Sequence, residues 1–377
     1  MPSQWTWSRR RALMALAAVP GAAILGGCDT ASEPLRPAAA DADADALRRA
    51  LGDAAVRVLA CAALAPSGHN TQPWSVEVVA PAHWRIGLDR SRLLPAVDPT
   101  NREALLSIGA FLENLVVAAQ SEGLAIEYEV VGGRPQDWPI VEARLRKDAA
   151  VPYPLERLRR RRTVRRGYAP ELLGAADLAA IAGGDPSIHY FPRSTAGARY
   201  LAEATVAANR TQAFRDDAQQ ELADWIRWSR DDERRHRNGL TPAGMEITGV
   251  AGWYVRHFFD RDSVLKASFR QQGVDQVVER VTQGAGWLVQ TGDASVAGLV
   301  ETGRRFERMW LGMRERRIAI QPMTQVLEET ANVADVARAL GIDGVPQFLL
   351  RVGYVADYPE PVSPRMSVAA FTRLAQR

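Results

Sequence analysis

Cysteine is nearly missing from this chain, with only Cys28 and Cys61 among 377 residues. One disulfide is the most they allow, and Cys28 has another fate, described below. Cys61 lies among Leu59, Ala60, Ala62, Ala63 and Leu64, and reads as a small core residue rather than a nucleophile. Histidine is scarce too. His69, His83, His189, His236 and His257 are far apart, with no HExxH and no CxxC, so no metal site is signalled. Nor does the body of the chain carry a surplus of either charge. Lys+Arg is 47 and Asp+Glu 44, and Arg9, Arg10 and Arg11 supply the whole formal +3. Residues 1–27 hold no acid and no other base, which leaves the remainder at 44 against 44. No broad field for nucleic acid or membrane remains. With 47% apolar and 24% charged residues, the composition is ordinary for a globular protein, long enough for two domains or one fused unit.

What is present begins with a leader. Ser8-Arg9-Arg10-Arg11 precedes an apolar run over residues 12–27, about the length of a signal-peptide core and short for a bilayer crossing. The paired arginines resemble a twin-arginine export signal. Leu25-Gly26-Gly27-Cys28 looks like a bacterial lipobox, in which Cys28 carries lipid after cleavage in front of it. An uncleaved anchor, or a cut nearby without lipid, are the plainer alternatives. Residues 28–45, rich in Ala, Asp and Pro, make a flexible tether. The expectation is an exported protein, periplasmic or extracytoplasmic, lipid-anchored to a membrane. Twin-arginine export carries folded proteins, a weak sign of a bound cofactor.

Past the leader, apolar spacing predicts an amphipathic helix over 47–64, strands over 75–80 and 84–88, a strongly apolar central helix over 101–123, and a strand over 125–131. Two prolines within 148–154 mark a join. Beyond it come a long helical pattern over 196–228, a charged stretch over 227–237 and a glycine-containing loop over 239–249. A strand end at 288–289, a helix over 294–319, a short helix over 330–340 and a strand over 346–354 follow. The order helix, loop, strand, helix, strand occurs twice. This predicts an α+β fold of two related halves, 46–150 and 151–377, with mixed β-sheets flanked by helices.

Four segments offer chemistry. Ala65-Pro66-Ser67-Gly68-His69-Asn70-Thr71-Gln72-Pro73-Trp74 is a loop stiffened at both ends by proline, with donors and acceptors between; a well-made turn is the bland reading. Residues 157–166 hold seven arginines in ten positions. Most of them suit a solvated surface, but Arg161, Thr163 and Arg165 alternate in a way that suits a phosphomonoester. Ile320-Gln321-Pro322-Met323-Thr324-Gln325 reads as a connection ending a helix. Ser363-Pro364-Arg365 leaves an arginine in the tail, where a lone arginine is ordinarily a surface residue.

Together these four segments, in this order, resemble the nitroreductase superfamily and its Acg-type FMN-binding subgroup, over roughly residues 47–371. Ordinary members are homodimers in which one subunit offers an Arg-x-Ser-x-Arg phosphate segment and its partner a Pro-Ser-x-x-Asn-x-Gln-Pro-Trp loop. Here the first half has the loop and the second half Arg161-x-Thr163-x-Arg165, and neither half has both. The resemblance therefore implies an intramolecular pseudo-dimer, possible as a monomer, with one FMN site. By that similarity Arg161, Thr163 and Arg165 hold the FMN phosphate with Arg365 reaching it. Pro66, Ser67, Gly68 and Asn70 line the flavin's other side, and Met323, Thr324 and Gln325 offer backbone to its edge. The implied activity is hydride transfer through flavin N5 to electron-poor acceptors such as nitroaromatics or quinones, with a small-molecule donor. No catalytic acid or base is required, and none is named. The rival is a flavin-binding or flavin-storage protein without turnover, closed by a lid over residues 225–259.

Overall fold

The computed structural model describes residues 44–329 and 333–375. The leader over 1–27, Cys28 and the tether up to residue 43 lie outside the described residues. The chain enters as two short helices, α1 (Ala44–Leu51) and α2 (Asp53–Ala62). One helix was expected over 47–64; Gly52, at φ 82°, breaks it, a conformation that costs glycine little. After the loop come β1 (Trp74–Ala80), β2 (His83–Leu88), α3 (Arg102–Ser121), β3 (Leu124–Val130) and β4 (Val141–Lys147). The second half runs α4 (Glu156–Arg160), α5 (Ala175–Ala182), β5 (Ile188–Pro192), α6 (Ala196–Phe214), α7 (Asp216–Trp225), α8 (Arg230–His236), α9 (Gly249–Phe258), α10 (Arg261–Leu265) and α11 (Ala267–Val281). It continues with β6 (Gly286–Gly292), α12 (Val296–Leu311), β7 (Ile318–Pro322), α13 (Gln325–Glu329), α14 (Val333–Leu340), β8 (Val345–Tyr354), α15 (Val368–Phe371) and β9 (Thr372–Leu374).

The fold is α+β, with two sheets flanked by helices. The first sheet has the order β3-β4-β2-β1-β9 and the second β5-β6-β8-β7. Every pairing is antiparallel except β1 with β9, so the first sheet is mixed and the second is not. β9 comes from the far end of the sequence, and Val76 pairs with Thr372 and Val78 with Leu374. The tail of the second half thus completes the sheet of the first.

Two helices form the spine. α3 is buried along most of its length, and its composition would suit a membrane span, with mean hydropathy 1.4, yet 83% of that window is buried inside the protein. It packs along α12, and the two meet at glycines. A Cβ on Gly109 would lie 2.0 Å from the Val300 carbonyl oxygen, and one on Gly303 would lie 2.0 Å from that of Leu106. Each half contributes one central helix, and each helix a glycine at the crossing. The contacts are reciprocal, as a pseudo-twofold arrangement requires.

Two expectations need correction. The 196–228 pattern is two helices with an extended Arg215 between them (ψ 119°), where the side chain turns away to pair with Glu329 at 2.9 Å. The segment 320–325 does not begin as a loop: Ile318–Pro322 is a strand paired with β8. Its alternating Ile318 and Ile320 are fully buried, and the helix before it stops at Leu311.

Candidate functional site

The loop after α2 is shaped by backbone that few side chains adopt. His69, Asn70 and Gln72 all have positive φ (46°, 54° and 54°). The turn closes on itself, with Asn70 N–H donating to Ser67 O and Gln72 N–H to Ser67 Oγ, at 3.0 and 2.9 Å. Asparagine tolerates this conformation, and here its amide is also fully used. Asn70 Nδ2 donates to Gly239 O (3.0 Å) and Pro364 O (3.1 Å), and Oδ1 accepts from Arg365 Nη1 (2.8 Å). Gln72, fully buried, donates to Arg237 O and accepts from Met366 N–H, both at 3.0 Å. These two amides bind the first-half loop to residues 237–239 and 364–366.

The arginine segment leaves α4 and becomes extended at Arg161 (ψ 133°). Successive side chains then point to opposite sides, and the structure uses them differently. Arg161 turns inward. Its Nε lies 3.1 Å from Glu307, Nη2 donates to Leu64 O at 2.6 Å, and the guanidinium stacks 4.5 Å above the Trp310 ring. Arg365 joins it from the tail, donating to the carbonyls of Leu64 (3.2 Å) and Ala65 (3.4 Å). Both arginines therefore grip the entry of the Pro66 loop. Burial pushes the Glu307 carboxyl up to about 7, opposed by Arg161.

Arg165 belongs to a second group. Its Nη1 donates to Gly244 O (2.7 Å) and its N–H to Glu246 (3.0 Å), while its carbonyl accepts from Arg351 at 2.7 Å. Burial, and then the nearby Arg165, Arg166 and Arg351, lower Arg280 to about 10. Burial is also the main cause that lowers Arg165, against Glu246. Several cations thus crowd round one carboxylate, a costly arrangement unless an anion completes it. The sequence reading missed Arg280, Arg351 and Glu246, because they come from a helix, a strand and a loop that share no local pattern.

All eleven residues singled out for the cofactor border one cavity of about 610 Å³, within the usual size range of small-molecule sites. Pro66, Ser67, Gly68 and Asn70 come from the first half; Arg161, Thr163, Arg165, Met323, Thr324, Gln325 and Arg365 come from the second. Trp228, Tyr254 and Phe259, from the expected lid over 225–259 and its edge, add an apolar wall.

One further array lies in the wall. Thr324 Oγ1 is 2.9 Å from Glu103 Oε1 and 2.9 Å from Glu328 Oε1. A hydroxyl has one proton, so Thr324 donates fully to only one of the two carboxyls at a time. Burial, and then Glu103, raise the Glu328 carboxyl well above the ordinary range. Gln212 donates to its other oxygen at 2.6 Å, and Arg102 donates to Glu103 at 2.9 Å. Asp98 nearby is pushed up to about 7 by burial and by Glu103, and burial lowers His69. Neither Glu103 nor Glu328 stands in a recognisable motif, so only the fold could find them.

No family model matches the chain. Among curated proteins, one named NAD(P)H nitroreductase PigM, from Serratia sp., is 24% identical over 307 residues, 78% of this chain and 86% of that protein. Another, named NAD(P)H nitroreductase Rv3131, from Mycobacterium tuberculosis, is 29% identical over 332 residues, 81% of this chain and 87% of that protein. A third, named NAD(P)H nitroreductase acg, from the same organism, is 43% identical over 72 residues, 19% of this chain and 20% of that protein. Among solved structures, the FMN-dependent nitroreductase NfnB from Mycobacterium smegmatis, in complex with NADPH, aligns with 57% of this chain and 95% of its own, at 18% identity and TM-score 0.35. The matches to PigM and Rv3131 run through nearly the whole of each relative, and the paired motifs meet from opposite halves of the chain. By these matches the chain resembles the nitroreductase superfamily and, over a shorter stretch, its Acg-type members.

Proposed function

We propose that the chain binds one FMN in this cavity and is an oxidoreductase that reduces electron-poor acceptors such as nitroaromatics and quinones. One observation carries the reading: a loop from the first half and an arginine group from the second border the same cavity. The residues fit the cofactor, because the crowded arginines call for an anion and the cavity wall nearer the Pro66 loop is mixed apolar and polar. Thr163 and Arg165, with Arg166 and Arg280, would hold the phosphate. Pro66, Ser67, Gly68, Met323, Thr324 and Gln325 border the rest of the cavity and would line the ring. Asn70, Arg161 and Arg365 brace the loop. When bound, FMN supplies the hydride chemistry at its N5 that no side chain offers. Thr324 is held between Glu103 and Glu328 at the cavity wall, and Trp228, Tyr254 and Phe259 limit water. The names of the relatives make a reduced nicotinamide nucleotide the first donor to test.

The leader belongs to the same proposal. Residues 1–27 direct export, and Cys28 carries a lipid after cleavage. Mass spectrometry of the mature N-terminus checks this; an unmodified N-terminus at another residue removes the lipid.

The test of the function uses the purified protein. It should be yellow, with oxidised-flavin absorbance, bleach with NADH or NADPH, and recover its colour with a nitroaromatic. A colourless protein that takes up no added FMN sinks the proposal. A yellow protein that neither nucleotide bleaches removes nicotinamide as donor.

A further inference from the structure

Helix α9 (Gly249–Phe258) is built inside out. Val250, Trp253, Tyr254, His257 and Phe258 recur at i, i+3, i+4, i+7 and i+8, the spacing of one apolar stripe. A stripe of this kind ordinarily faces a core. Here it faces outward, with Val250 82%, Trp253 55%, Tyr254 38% and Phe258 60% exposed. The rings pack on one another at the surface: Trp253 lies 4.5 Å from His257 and 5.8 Å from Phe258, and Tyr254 lies 4.7 Å from Phe258. The inner side is ordinary. Gly252 is buried against Ile247, Arg256 pairs with Glu233 at 3.2 Å, and Ala251 and Val255 border the cavity, with Tyr254 at the edge between the two faces. One helix thus has the cavity on one side and an uncovered aromatic stripe on the other.

We propose that the outer stripe of α9 docks on the surface of the lipid bilayer that holds the chain's N-terminus, setting this wall of the cavity against the membrane. The proposal rests on the leader reading given above. Three observations favour lipid over a second copy of the chain. Residues 29–43 separate Cys28 from α1, and so short a tether, at most about 50 Å when extended, keeps the folded part close to the membrane. The stripe is rich in Trp, Tyr and His, whose apolar bodies and polar tips suit the boundary between headgroups and acyl chains. Its exposed area is roughly 400–500 Å² for one Val and three aromatic side chains, well below the roughly 800 Å² per partner of a standard stable interface.

The experiment uses the full chain with vesicles of phosphatidylcholine and phosphatidylglycerol whose acyl chains carry bromine, a short-range quencher of tryptophan. The chain has 10 tryptophans, so the reading is the difference between wild type and Trp253→Phe. Docking predicts that wild type loses more emission on brominated than on plain vesicles. Trp253→Phe should abolish most of that excess, and Val250→Asp/Phe258→Asp should reduce it at least tenfold while Trp253 is still present. Equal quenching of wild type and Trp253→Phe overturns the proposal. So does a wild-type dimer in sedimentation that Val250→Asp/Phe258→Asp turns into a monomer, since the stripe would then cover a second copy. Flavin absorbance and the mass of the Cys28 peptide, read on the same samples, report separately on the function and on the leader.

Discussion

Arg161 and Arg165 stand four residues apart in one extended segment, yet their neighbours give them different tasks. Arg161 faces the fully buried Glu307 and the Leu64 carbonyl, so its removal strands a carboxyl in the core. Arg161→Ala should cost about 3–5 kcal/mol of stability, as for breaking a buried pair, read as a lower urea midpoint; adding Glu307→Gln should recover part of it. Arg165 reaches the cavity's cationic group, and Arg165→Ala should weaken FMN binding by about 1.5–3 kcal/mol, a charged hydrogen bond, with a smaller change in midpoint. Identical losses of flavin and of stability in both variants would refute this division. The buried acids make a second prediction. Glu307 and Asp98 are raised to about 7, and Glu328 is raised as well, all chiefly by burial. Between the ordinary carboxyl range and about 7 the folded protein therefore binds more protons than the unfolded chain. Stability from this source is complete below the unfolded value and is lost as pH rises through the folded one. The melting temperature should be higher at pH 5 than at pH 8, and Glu328→Gln should flatten the dependence. A melting temperature that rises from pH 5 to 8 would show these acids already ionised in the native state.

At the level of elements, the crossing of α3 and α12 offers a paired test. Gly303→Ala places a methyl 2.0 Å from the Leu106 carbonyl oxygen, and the helices must part. Overpacking of roughly 1–3 kcal/mol should exceed the helix-propensity gain of about 1 kcal/mol. Gly273, in α11, has open space where its Cβ would stand, so Gly273→Ala should leave stability unchanged or raise it by about 0.5–1 kcal/mol. Urea titrations that gave both substitutions the same sign would discount the crossing. These glycines also show where reading the sequence stops. The apolar faces of α3 announce a central helix, and the apolar run Phe348-Leu349-Leu350 of β8 announces a strand, because burial on all sides leaves a compositional mark. β4, as Val-Glu-Ala-Arg-Leu-Arg-Lys, half exposes its charges and was not anticipated; nor was β5. Gly109 and Gly303 look like any helical glycines until two helices from different halves are laid together. The cavity was partly legible for the same reason. The Pro66 loop and the arginine segment carry local signatures, whereas Arg280, Glu103, Glu246 and Glu328 acquire meaning only from what folds beside them.

For the whole molecule, the tail joins the halves. Residues 364–366 give Arg365 to Asn70 and to the Leu64 and Ala65 carbonyls, and the Met366 N–H to Gln72. Thr372–Leu374 then extends the first sheet beside β1. The first element shapes the loop and the second covers a sheet edge, so two deletions separate them. Ending the chain at Phe371 removes β9 and leaves Arg365 and Met366 in place; it should lower the melting temperature and expose the edge of β1 to association, while FMN stays bound. Ending it at Ser363 also strips partners from Asn70 and Gln72. Gln72 is fully buried, and each orphaned amide group costs about 1–3 kcal/mol. The loop should then lose the shape that borders the cavity, and the protein should come through purification without flavin. If the shorter chain retained one FMN per molecule, the first-half loop would hold its form without the second half, and the closing of one site by two halves would not depend on the tail.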